Sequence, residues 1–315
     1  MHRRSLLLGA AFVGSLSLCA QKAKDEVLDF GANPGQLRMF LRAPASNGPA
    51  ASRSLVVLLH GCGQDAEGLA RRSGWTALAD SLGIWLLMPQ QRFRNNPSRC
   101  FNWFAAGDIT PGKGEAASLA RMILKAADSL GIAPARTHLY GVSAGGAMAA
   151  VLMACYPDLF STAVIIGGAP YGAALREPSA RRPLADPQAC TPEQWAQRVR
   201  GAGASAPERY PRLVVMHGTR DAVSGFDLGL ALVAQWTTLS GTDSIPDAVE
   251  RGYRGTPGVS RSEFRDAAEQ PVVVLYRFEG MGHRLPSDGT AGGWLAKDVG
   301  SSSARLAAHE FGMLP

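Results

Sequence analysis

One short stretch of this 315-residue sequence has the residue types and spacing of a catalytic nucleophile. Gly141-Val142-Ser143-Ala144-Gly145 fits G-x-S-x-G, in which a serine sits on a strained strand-to-helix turn that exposes its hydroxyl. Side chains two positions either side of that serine would collide, so glycine occupies both places. Alone the pattern is weak in a chain with 36 glycines, and an accidental glycine turn fits it too. Its surroundings give it weight: the β-type run Thr137-His138-Leu139-Tyr140 precedes it, and the small residues Gly146-Ala147-Met148-Ala149-Ala150 follow, letting a helix pack close to a sheet.

A serine hydroxyl needs a base within hydrogen-bond reach and a carboxylate to orient that base. On the scaffold that carries this elbow the partners follow in the order serine, acid, histidine. His60, His138 and His217 therefore come too early, which leaves His283 and His309. His283 is preferred because it lies in the flexible turn Glu279-Gly280-Met281-Gly282-His283 just after an apolar strand, whereas His309 is embedded in a helical run. Asp221 is the preferred acid, in the turn directly after Val214-Val215-Met216-His217-Gly218. Asp227, beside a helix, and Asp243 and Asp247, in a polar loop, are its rivals. The tetrahedral oxyanion requires backbone N–H donors. Ala144 supplies one, and Cys62, in His60-Gly61-Cys62-Gly63-Gln64, is the candidate for the other, although a plain tight turn fits that segment as well.

The elements that must hold these residues follow from apolar periodicity. Residues 55–59 and 84–88 are continuous β-type runs, as strands covered on both faces require, and residues 66–82 between them have helical spacing. The alternation continues: helix 115–130, strand 137–140, helix 144–155, strand 162–166, strand 213–216, helix 226–239, strand 272–276 and helix 302–311, with a half-exposed strand at 37–41 before the first run. The fold class is α/β, a mostly parallel sheet with helices on both faces and its site at the strand C-terminal ends. Residues 167–212, with seven prolines and one helix near 194–200, break the rhythm and read as a cap or lid, or as a surface excursion without a role.

In order along the chain, LVVLLHGCGQ (55–64), NPSRCFNWF (96–104), Gly114-Glu115, GVSAGGAM (141–148), HGTRD (217–221) and GMGH (280–283) resemble the family of poly(3-hydroxybutyrate) depolymerase-type esterases, α/β-hydrolases related to feruloyl and acetylxylan esterases. The resemblance covers most of the chain beyond its first residues. It implies the same triad, Ser143, Asp221 and His283, and a serine carboxylic ester hydrolase that needs no cofactor. Ala222-Val223-Ser224 and Arg284-Leu285 depart from the family's usual residues at the cleft and leave the substrate open. Larger depolymerases of this kind add a polymer-adsorbing domain after the catalytic region; with 32 residues after His283, the expectation is soluble hydroxyalkanoate oligomers or small feruloyl or acetyl esters rather than crystalline granules. Phe101, Trp103 and Gln64 are candidate substrate contacts, with core packing as the alternative for the aromatics. A serine peptidase or a non-catalytic binding protein on the same scaffold are the alternatives.

Met1-His2-Arg3-Arg4, the uncharged run 5–18 and the small or polar residues at 19–21 form the three-part layout of an export signal, twin-arginine or Sec, giving a leader over 1–20 and a catalytic domain over 21–315 in the periplasm or outside the cell. A lipid anchor at Cys19 is disfavoured by Leu18 before it. The 14-residue run is shorter than the ~20 a membrane helix needs, so no span is expected. Net charge is +6, or +4 without Arg3 and Arg4, and the basic residues are scattered, which argues against a nucleic-acid partner. No CxxC or HxxxH spacing suggests a metal. Cys62 and Cys100 lie near strand ends that a βαβ unit brings together and are expected to form a disulfide, with Cys155 a buried thiol and Cys190 free or an alternative partner.

Overall fold

The computed structural model describes residues 25–45, 53–174, 190–203, 207–290, 293 and 295–315. In chain order the strands and helices are β1 (Asp25–Val27), β2 (Arg38–Arg42), β3 (Leu55–Leu59), α1 (Ala66–Arg72), α2 (Trp75–Leu82), β4 (Trp85–Gln90), α3 (Gly114–Leu130), β5 (Thr137–Val142), α4 (Ala144–Cys155), β6 (Thr162–Ile166), α5 (Pro192–Arg200), β7 (Arg212–Gly218), α6 (Phe226–Leu239), β8 (Ala248–Arg251), β9 (Val259–Arg265), β10 (Pro271–Phe278), β11 (Leu285–Ser287), β12 (Ala296–Asp298) and α7 (Ser303–Glu310). Among the described residues one ten-stranded sheet runs β1-β2-β4-β3-β5-β6-β7-β10-β9-β8. Its six central strands are parallel. Antiparallel strands extend it at each side.

Successive side chains of a strand face opposite ways, and the central strands use this to build two cores. Val57, Leu59, Leu139, Ile165 and Val215 pack under α3, α4 and α6. Val56, Leu58, Tyr140, Val164 and Met216 pack on the other face under α2 and α7. Continuous apolar strands are what burial on both faces demands. Every residue of α4 is buried, and its Gly-Gly-Ala-Met-Ala-Ala opening lets it lie close to the sheet.

The chain goes from β3 out to β4 and then crosses back to β5 on the far side of β3, so a crevice forms where the strand order reverses. Register keeps the strand ends level there: Leu59 is opposite Gly141, Val142 opposite Ile166, and Gly218 opposite Phe278. The loops after β3, β5, β6, β7 and β10 therefore meet at one edge.

Two expectations are corrected. The helix over 66–82 is two helices, because Ser73 caps α1 and Gly74, at φ 89°, turns the chain before α2. The antiparallel strands β8 and β9 were not anticipated, since sequences such as VSRSEFR carry little apolar signal. Residues 1–20 lie outside the described residues, as does much of 167–212. The described helix of that excursion, α5, buries Trp195 and Ala196 in a small core with Ala147, Leu228 and Ala231, so it belongs to the helical layer beside α4 and α6. No helix among the described residues is long and apolar enough to cross a membrane.

Candidate active site

Ser143 stands between β5 and α4 at φ 54°, ψ −121°, a left-handed conformation costly for a side-chain-bearing residue. The flanking glycines are needed by packing. A Cβ at Gly141 would lie 2.4 Å from Gly145 O, and one at Gly145 would lie 2.1 Å from Leu59 O. The second clash is with β3, so that glycine also sets how close the elbow comes to the loop after that strand. The Ser143 N–H donates to Ile166 O at 2.8 Å and ties the turn to β6.

The structure brings Ser143, His283 and Asp221 together from the loops after β5, β10 and β7. Ser143 Oγ is 2.9 Å from His283 Nε2, and His283 Nδ1 is 2.7 Å from Asp221 Oδ2. Asp221 is held from all sides. Its Oδ1 accepts from Val223 N at 2.9 Å and Ser224 N at 2.8 Å, and its Oδ2 also lies 3.5 Å from His217 Nε2. Burial alone would raise its pKa; hydrogen bonds from His217 and His283 and the charge of His283 outweigh burial and hold it well below the usual carboxylate range. An ionised Asp221 accepts a hydrogen bond from His283 Nδ1–H, which leaves the lone pair on Nε2, facing the serine.

On the other flank of Ser143 is the loop after β3. A Cβ on Gly61 would be 3.2 Å from Ser143 Cβ, so this backbone runs directly beside Ser143. The expected disulfide is present, Cys62 to Cys100, with Cα atoms 4.2 Å apart. Gly63 N donates to Ser98 O at 2.7 Å next to it, joining the loops after β3 and β4. Cys155 is a buried thiol and Cys190 is free and half-buried.

The expected substrate contacts separate. Phe101 is fully buried, its ring 4.9 Å from that of His60, and presents no face to a ligand: it fills the core beneath the loop. Gln64 is buried and turned back onto its own loop, where its Oε1 accepts from Gly61 N at 3.2 Å. Trp103 alone stays partly exposed, packed against the cluster that contains Ala147, one turn beyond Ser143. The rival acids and base are engaged elsewhere. Asp243 accepts from Ile245 N and Asp247 from Arg265 N, Asp227 is in the first turn of α6, and His309 is beside Glu310 on α7.

His217, set aside as a base by chain order, is a neighbour of Asp221; the spacing in His217-Gly218-Thr219-Arg220-Asp221 was the available signal. Gln91 and Glu115, buried under the loop after β3, were not read as part of the site at all. Among the described residues no cluster of His, Cys, Asp or Glu could hold a metal ion.

Comparison with known proteins adds relatives to this geometry. The model of the family described as "Esterase PHB depolymerase" matches residues 41–192. The chain is 35% identical to poly(3-hydroxyalkanoate) depolymerase C of Paucimonas lemoignei, over 99% of this chain and 75% of that protein. It is 29% identical to feruloyl esterase B of Talaromyces funiculosus, over 84% of this chain and 73% of the relative. Among solved structures, the acetyl xylan esterase from Aspergillus awamori superposes with a TM-score of 0.77 at 21% identity, covering 92% of this chain and 99% of that one. That likeness establishes the α/β-hydrolase fold.

Proposed function

We infer, for a chain that belongs to the esterase PHB depolymerase family and is therefore a carboxylic ester hydrolase, that it works through an acyl-serine intermediate carried by Ser143, His283 and Asp221. The supporting observation is the unbroken relay Ser143 Oγ–His283 Nε2 (2.9 Å) and His283 Nδ1–Asp221 Oδ2 (2.7 Å). Ser143 Oγ adds to the acyl carbon as its proton passes to His283 Nε2, and the carbonyl oxygen becomes an oxyanion facing the Cys62 and Ala144 amides. Collapse breaks the bond to the alcohol oxygen, which leaves with the proton from His283. Water repeats the sequence on the acyl-serine and releases the acid. Asp221 stabilises the imidazolium formed in each half-reaction.

The proposed substrates are hydroxyalkanoate oligomers or small esters, including feruloyl and acetyl esters, with Trp103 as the apolar wall. The proposed destination is the periplasm or the exterior, after removal of a leader over residues 1–20. The Cys62–Cys100 disulfide supports this, because such bonds persist in oxidising compartments. A panel of p-nitrophenyl esters, feruloyl esters and hydroxybutyrate oligomers tests the reading: Ser143→Ala should lose on the order of 10⁴ to 10⁶ in kcat on every active substrate. Residual activity within tenfold of the parent would exclude Ser143 as nucleophile.

A further inference from the structure

Under the loop after β3 runs a chain of hydrogen bonds that acyl transfer itself does not use. Glu115, in the first turn of α3, is 1% exposed. One of its carboxyl oxygens accepts from Gln91 Nε2 and the other from Asn102 N at 2.7 Å. Gln91 is equally buried and has every hydrogen-bonding position filled. Its Oε1 accepts from Arg92 N (2.8 Å) and Asn95 Nδ2 (3.0 Å), while its Nε2 also donates to Cys100 O (3.0 Å). Those four partners fix the orientation of the amide, so Glu115 must be an acceptor toward it.

The chain continues through the backbone. Gln91 N–H donates to His60 Nε2 at 3.1 Å, which leaves the His60 proton on Nδ1, and Nδ1 donates to Gly61 O at 2.9 Å. Complete burial, only partly offset by the Gly61 bond, lowers the His60 pKa to about 4, so the ring stays neutral in this one tautomer. A trans peptide points its C=O and N–H in opposite directions. Holding Gly61 O on the buried side, toward His60, turns the Cys62 N–H to the open side of the loop, beside Ser143.

The geometry points to Glu115 as a positioning residue for the oxyanion site, acting through Gln91 and His60 to fix the Gly61–Cys62 peptide. The same carboxyl holds Asn102 N, and Gln91 holds Cys100 O, so the Cys100 arm of the Cys62–Cys100 bridge is anchored to the same buried group. Either charge state serves, because each carboxyl oxygen keeps a lone pair for its donor. Glu115→Gln would not serve: one oxygen becomes an NH₂ facing another donor.

This inference rests on the acyl-serine reading, and its test separates the two. Wild type, Glu115→Gln, His60→Asn and the double variant are compared in kcat and KM per active site and in affinity for a phenylboronic acid, which becomes tetrahedral on the serine oxygen. Misaiming one oxyanion donor should lower kcat about 10²-fold and weaken the boronate by a similar factor, with KM within about twofold. The double variant should be no worse than the poorer single one, since both act through the same peptide. If Glu115→Gln cannot be obtained folded, Glu115→Asp decides by the same readouts, a withdrawn carboxyl weakening boronate binding at constant KM. Unchanged boronate affinity in a folded Glu115 variant, or fully additive losses, would overturn the positioning role. Loss of activity in Ser143→Ala alongside that result would leave the acyl-serine reading intact, whereas activity retained in Ser143→Ala would remove that reading itself.

Discussion

The two flanks of Ser143 are each built on a buried carboxyl group, and the two groups are treated in opposite ways. On the acid–base flank Asp221 is met by His283 and His217 and is kept ionised, its pKa held below the ordinary range against the effect of burial. On the oxyanion flank Glu115 is met by amides; burial, joined by the charge of Asp108, outweighs the bonds from Asn102 and Gln91 and pushes its pKa up to about 8. On the proposed mechanism the first flank must carry a charge that appears and disappears on His283, and an anion stands one hydrogen bond from that ring. The second must only hold a peptide still, and there neutral donors, a disulfide and dense packing suffice. Residue type alone does not assign the role: the donors around a carboxyl group do.

The comparison can be broken first at Asp221. Asp221→Asn should lower kcat on the order of 10⁴-fold, by favouring the wrong His283 tautomer, with KM little altered. A loss below tenfold would mean that Asp221 is no more than a loop anchor. Replacing both Cys62 and Cys100 by alanine should lower unfolding free energy by roughly 3–4 kcal/mol in the chain-entropy model, from a sequence separation of 38. Denaturant melts measure this. With the Glu115 chain intact, kcat should fall by less than about tenfold, and a larger fall would give the bridge the positioning task assigned to Glu115. Trp103→Ala should cost roughly tenfold in kcat/KM for bulky acyl groups and much less for acetyl, read from the ester panel.

The smallest effect is a trend with pH. Because the Glu115 pKa is raised on folding, from near the ordinary glutamate value of 4.5 to about 8, its favourable contribution is complete below the unfolded value and is lost as pH rises to about 8. The melting temperature of wild type relative to Glu115→Gln should therefore decline between about pH 5 and pH 8 and level off above. A flat difference would show that Glu115 titrates like a surface carboxylate.

Much of the first flank was legible in the sequence. The elbow, the aspartate after one apolar strand and the histidine after another are each marked by a local strand-to-turn change; chain order narrowed the base to His283 and His309, and the turn after a strand favoured His283 over the helical His309. The disulfide was legible because a βαβ unit brings the ends of β3 and β4 together. The buried support of the second flank was not legible, for a physical reason: Gln91, Asn102 and Glu115 come from three separate segments, and nothing local says that a glutamate opening a helix points inward. Nor does spacing reveal which way loop side chains turn. Phe101 and Trp103 are two residues apart, yet one is fully buried and the other reaches the surface. The sheet's parallel centre was visible as uninterrupted apolar runs, whereas its polar antiparallel edge on β8 and β9 carried no such mark.

The acyl-serine itself gives the most direct test. Wild-type protein mixed with a slowly deacylating ester, quenched in acid within the first turnover and digested, should yield one peptide heavier by the acyl mass, with the modification on Ser143, and Ser143→Ala should yield none. Acyl mass on any other residue, or turnover with no acylated peptide at any quench time, would contradict the account.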